Sequence, residues 1–246
     1  MSATSQPINL SFLGVALVLF AVGDLAAPHL PDPGHTGQLV YLVCVTIPLL
    51  TLVVQACGPA HQVGPRLLVV AAAAFLVALL LIHLGHPATP ATVAKLIAAT
   101  CVGLVLAGML RNATEAITIA LVIAAVDIYS VAAGPTHEIV HNHPGVLDDL
   151  ALNLRVLGTY SVVQIGVSDL IFFALFTAAA LRLGLRRWTT WAAMTASFGL
   201  TVVLADRLDT ALPALPLLSA AFLAANADLF RARGRPPAIP PNGRGV

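Results

Sequence analysis

Two acidic residues stand alone in long apolar stretches of this 246-residue chain, Asp127 and Asp169. Asp127 falls in the run 113–133. Asp169 falls in Leu157–Leu181, within Gly166-Val167-Ser168-Asp169-Leu170-Ile171-Phe172-Phe173, and is expected at the middle of a membrane span, with Gly166 one helical turn earlier on the same face. An ionisable group at membrane depth is costly and usually faces a bundle interior or a wet cavity, so it marks a candidate site. Two carboxylates held close together do not readily both ionise. They share a proton, so that one takes a proton from water while the other, protonated, polarises a carbonyl. That chemistry hydrolyses an amide with neither a metal nor a covalent intermediate. The same pair suits a proton or ion relay, and a single buried Asp also serves as glue between helices.

The elements that must position these acids are membrane helices. The sequence is 59% hydrophobic and 9% charged, with a mean hydropathy of +0.93. Soluble domains carry about 25% charged residues, so composition predicts an all-α polytopic membrane bundle in contact with lipid. A net charge of +1 leaves no basic stripe for nucleic acid. Cys44, Cys57 and Cys101 lie in apolar runs and read as small hydrophobes, not as a disulfide or metal set. Eight runs of near-spanning length follow one another: 8–27, 38–57, 66–84, 92–110, 113–133, Leu157–Leu181, 189–205 and 211–229. The expected organisation is a four-helix portion over 1–112, a portion over 113–230 holding both acids, and a disordered Arg-, Gly- and Pro-rich tail over 231–246.

Basic residues set the expected orientation. Arg66, Arg111, Arg182, Arg186, Arg187 and the tail arginines fall on one side, nine in all, against Lys95, Arg155 and Arg207 on the other. This predicts cytoplasmic termini in a multi-pass cell membrane protein, with the 134–156 loop outside. The abundance of Arg and Ala suggests a bacterial inner membrane. Asp127 lies 16 residues beyond Arg111, and Asp169 lies 13 before Arg182. At 1.5 Å per residue those heights are about 24 and about 20 Å, which allows the acids to face each other at one level.

A third stretch, Ala211-Leu212-Pro213-Ala214-Leu215-Pro216, opens the last run. Taken with Asp127 and Gly166–Asp169, it resembles the presenilin and signal peptide peptidase family of intramembrane aspartyl proteases. In that family one Asp sits on one span, a Gly-x-Gly-Asp motif on the next, and Pro-Ala-Leu begins the final span. The resemblance extends from residue 113 to the C-terminus, roughly half of the chain. It implies that Asp127 and Asp169 are catalytic and that Gly166, Ser168, Pro213, Ala214 and Leu215 receive substrate. It also implies a transmembrane protein or peptide as substrate, with no metal or other cofactor. Three departures accompany it: Ser168 replaces the second Gly, Val126 replaces the usual Tyr, and eight runs stand in place of nine spans. The expectation is an aspartic endopeptidase or an inactive relative of one, with a non-proteolytic transporter or relay as the alternative.

A competing motif lies between the acids. His137-Glu138-Ile139-Val140-His141 is a literal H-E-x-x-H, which on a helix sets two imidazoles one turn apart with Glu as base for a zinc-bound water. Gly134-Pro135 and Pro144-Gly145 leave it about two turns of helix, short for a zinc-protease scaffold. Zinc hydrolysis is therefore the third reading. The remaining charges, among them Asp24, Lys95, Arg155 and Asp206, fall near expected helix ends, where they can snorkel or pair.

Overall fold

The computed structural model describes residues 9–84, 88–133, 151–210 and 212–233. The chain begins with α1 (Leu10–Ala26), whose first turn is capped by the Asn9 side chain accepting from the Phe12 N–H at 3.0 Å. After a short 3-10 turn, α2 (Gly34–Tyr41) runs through a π turn at Leu42–Thr46 into α3 (Ile47–Cys57). Pro48 has no N–H to close an α-helical bond to Cys44, and the π turn absorbs that missing bond. A 3-10 segment, Gly58–Arg66, then breaks at Gly64 (φ 72°) and leads into α4 (Leu67–His83). Next come α5 (Ala88–Met109) and α6 (Ala113–Ala133). The start of α6 is fixed by a reciprocal cap: the Glu115 N–H donates to Asn112 Oδ1 at 2.9 Å, and the Glu115 carboxylate accepts from the Arg111 N–H at 2.7 Å.

The second half opens with two strands, β1 (Ala151–Arg155) and β2 (Val162–Gly166), paired antiparallel with Ala151 opposite Gly166 and Arg155 opposite Val162. Helices α7 (Val167–Arg182), α8 (Arg187–Leu208), α9 (Leu215–Ala225) and α10 (Ala227–Arg233) complete the described chain. The fold is mostly helical, with this one small sheet among the described residues. Among the described residues, five helical stretches are long and apolar enough to cross a membrane: Leu10–His29, Gly34–His83, Thr89–Met109, Ala113–Ala132 and Arg187–Leu208. The second of these contains the break at Gly64.

The expected span Leu157–Leu181 is corrected. Its first part is the hairpin turn and β2, and its helix starts only at Val167. Val162, Val163 and Ile165 are β-branched and favour a strand, whereas hydropathy scores strand and helix alike. The turn contains Gly158 (φ 73°), where a Cβ would run into the backbone of Asp32. Asp169 therefore lies in the first turn of a 16-residue helix and not at mid-span.

Helix α7 is the central post. Phe173, Ala174, Phe176, Ala178 and Ala179 are each 0% exposed. Small residues let α5 lie directly against it: a Cβ on Gly103 would collide with the Ile171 carbonyl and the Ala174 methyl. On another side Phe176 stacks on Phe222 of α9, with ring centroids 4.4 Å apart. Helix α6 is the opposite case. Ala116 and Ala120 are buried, while Leu121, Val122 and Val126 are exposed, forming an apolar surface suited to lipid.

Candidate active site where three segments converge

Asp169 is the third residue of α7, with Gly166 at its N-cap in an extended conformation (φ −60°, ψ 135°). The carboxylate turns back to the Gly166 N–H, the same return bond that closes a capping box. A Cβ on Gly166 would lie 3.1 Å from Asp169 Oδ2 and 3.3 Å from Ser168 Oγ. Gly166 thus leaves room for the carboxylate itself. The expectation that Gly166 shares a helix face with Asp169 is corrected, because Gly166 ends a strand.

Asp127 arrives from a different direction. It lies in α6 about two turns before the end of that helix, and its Oδ2 accepts from the Leu215 N–H at 3.0 Å. Leu215 is the first residue of α9, where an N–H has no partner within its own helix. Pro216 follows and suits the opening turn of a helix. Asp127 and Asp169 are near enough for their charges to act directly on each other, and both are half-buried. Each carboxylate thus meets the N-terminus of a helix, Asp169 its own and Asp127 that of α9, where partial positive charge favours an anion.

Of the residues singled out in the sequence, Asp127, Asp169, Gly166 and Leu215 come together here. Pro213 and Ala214 are half-buried just ahead of Leu215, and Ser168 is exposed beside Asp169. His137–His143, and with them the H-E-x-x-H motif, lie outside the described residues. Among the described residues no three His, Cys, Asp or Glu side chains group as metal ligands.

The sequence reading missed what holds the hairpin. On β1 alternate residues turn their backbone groups to opposite edges. The edge facing away from β2 is closed by side chains: Lys95 Nζ donates to the Ala151 carbonyl at 2.8 Å and Thr92 Oγ1 to the Asn153 carbonyl at 2.9 Å. Asp24 Oδ1 accepts from the Arg155 N–H at 2.9 Å, and its other oxygen accepts from the Thr89 hydroxyl. Asp24 and Lys95 are 3% and 2% exposed, so the expectation that they snorkel to the surface is corrected. The available signal was spacing. Thr89, Thr92 and Lys95 recur every third residue and line one helix face. Elsewhere, Asp228 pairs with Arg186 at 2.6 Å.

No model of a known protein family matches this chain, and no curated protein matches its sequence.

Proposed function

We propose that this protein is an intramembrane aspartyl protease, similar in mechanism to the presenilin and signal peptide peptidase family, that hydrolyses peptide bonds of transmembrane substrates. The observation that carries the reading is the bond from the Leu215 N–H to Asp127, formed beside Asp169. Three stretches far apart in sequence, picked out by the resemblance, meet at one point. In this mechanism a water lies between the two carboxyls. The ionised one removes its proton as oxygen attacks the carbonyl carbon, and the protonated one donates a hydrogen bond to the carbonyl oxygen. Collapse of the tetrahedral adduct then passes a proton to the leaving nitrogen.

A helical amide is shielded by its own hydrogen bonds, so the substrate must become extended at the scissile bond. The hairpin suits that requirement. Its β1 edge is occupied by Asp24, Thr92 and Lys95, while β2 leads directly into Gly166 and Asp169. A substrate strand added beside β2, with Gly166, Ser168 and the Pro213–Leu215 segment around it, would carry its amide toward the acids. The long apolar helices are read as membrane crossings, with both termini in the cytoplasm.

The test is cleavage of a generic transmembrane peptide by purified protein in detergent. Activity is expected to vanish in Asp127→Ala and in Asp169→Ala and to survive a chelator. Loss to chelator with the Asp variants still active would move the chemistry to the His137–His141 motif. Absence of any cut, together with pH-dependent ion flux that the Asp variants lose, would identify a relay.

A further inference from the structure

A second feature adjoins the hairpin, at the end of β2 away from the acids. A cleft of about 280 Å³ opens between α2, the hairpin turn and the end of α8. Its wall includes His35, Asp206, Arg155, Ser161, Val162 and Val163. The strand therefore runs from this cleft at Val162 to the carboxylates beyond Gly166. At about 3.3 Å per residue that path is about 13 Å, or four to five residues of extended peptide.

The charges in the wall favour one kind of occupant. His35 Nε2 and Asp206 Oδ1 are 2.9 Å apart and satisfy each other. Arg155 is in no ion pair among the described residues, and its backbone N–H, not its guanidinium, meets Asp24. The guanidinium is a planar donor of up to five hydrogen bonds, well matched to a carboxylate. The cleft thus offers one uncompensated positive charge, with the Ser161 hydroxyl in the same wall.

We infer that this cleft is a remote substrate subsite in which Arg155 receives an acidic side chain of the peptide, four to six residues from the bond that is cut. The inference rests on the aspartyl protease reading for the direction of the strand, but binding can be measured apart from hydrolysis. A membrane-spanning substrate leaves the apolar layer within a few residues, so its polar flank is the part that reaches this cleft. The subsite would select among transmembrane segments by the charge of that flank, and the apolar middle would contribute little to the choice.

The experiment uses fluorescent transmembrane peptides carrying a single Glu, Gln or Lys, scanned along each flank. Binding is read by anisotropy on the full chain bearing Asp169→Asn, so that nothing is cut. At one flank position the Glu peptide is expected to bind about tenfold tighter than the Lys peptide, the size of one attractive contact exchanged for a repulsive one at a partly exposed site. Adding Arg155→Gln should remove the preference, and adding Arg155→Glu should reverse it. Tighter binding of the Lys peptide by Arg155→Glu is a gain that a misfolded variant cannot produce. An identical ranking of the three peptides by all three proteins would overturn the subsite. A charge preference in the absence of any cleavage by the unsubstituted protein would keep the subsite and remove the protease reading. Cleavage without a charge preference would do the reverse.

Discussion

Helices α6 and α7 each deliver one carboxylate to the same place, and they are built in opposite ways. Helix α7 is enclosed on all sides, with Phe173 and Phe176 fully buried and α5 pressed against it at Gly103. Helix α6 buries only small residues such as Ala116 and Ala120, and turns Leu121, Val122 and Val126 outward. Asp169 is consequently fixed by the core, while Asp127 depends on how α6 lies against α9. The Leu215 N–H is the tie between those two helices at the level of the acid. Joining the pair requires a rigid half and an adjustable half, and one backbone hydrogen bond marks the join.

Substitutions can break that contrast or sharpen it. The largest effect is expected at the acids, where the two helices should be equivalent despite their different settings. Asp127→Asn and Asp169→Asn should each lower the cleavage rate about 10²- to 10⁴-fold, the usual worth of a general acid or base. Retained activity in either, in a peptide cleavage assay, would end the idea of a pair.

The contrast itself is tested in the helices. Phe176→Ala in α7 should cost about 3–5 kcal/mol, because it empties a packed site beside Phe222. Val122→Ala in α6 should change stability by no more than about 0.5 kcal/mol, since the side chain meets no core. Thermal unfolding in one detergent measures both, and equal shifts would contradict the division into a rigid and an adjustable half.

A smaller and more local effect is expected at the tie. Leu215→Pro removes the N–H at the first position of a helix, where proline is tolerated. Leu215→Ala keeps the N–H and loses the buried side chain. The proline variant should lose about 1–3 kcal/mol of carboxylate anchoring, seen as a fall in kcat below that of the alanine variant. Equal kcat values would mean that the bond does not position Asp127.

Part of this arrangement was legible in the sequence. Asp127 and Asp169 stood out because charge is rare in apolar runs, and counting from Arg111 and Arg182 placed them at similar heights. Helix α7 is unbroken from Asp169 to Arg182, whereas α6 begins at Ala113, so the count from Arg111 crosses two residues outside the helix. The position of Asp169 within its element did not follow. Apolar strand and apolar helix have the same hydropathy, and only the β-branched character of Val162, Val163 and Ile165 hinted at the change at Gly166. Asp24 and Lys95 were harder still. Their partners are backbone groups on a strand more than fifty residues away, and no local pattern in α1 or α5 announces a strand. The Leu215 bond was equally hidden, since every residue except proline has a backbone N–H and sequence does not say which one is used.

The closed edge of β1 also bears on how the chain is made. The groups that close it, Asp24, Thr92 and Lys95, belong to helices synthesised before the strand leaves the ribosome. When Ala151–Arg155 emerges, its outward carbonyls and N–H find donors and an acceptor already in place, and β2 follows within a few residues. The strand therefore has little time as an open template for pairing with another nascent chain, the hazard that exposed strand edges carry.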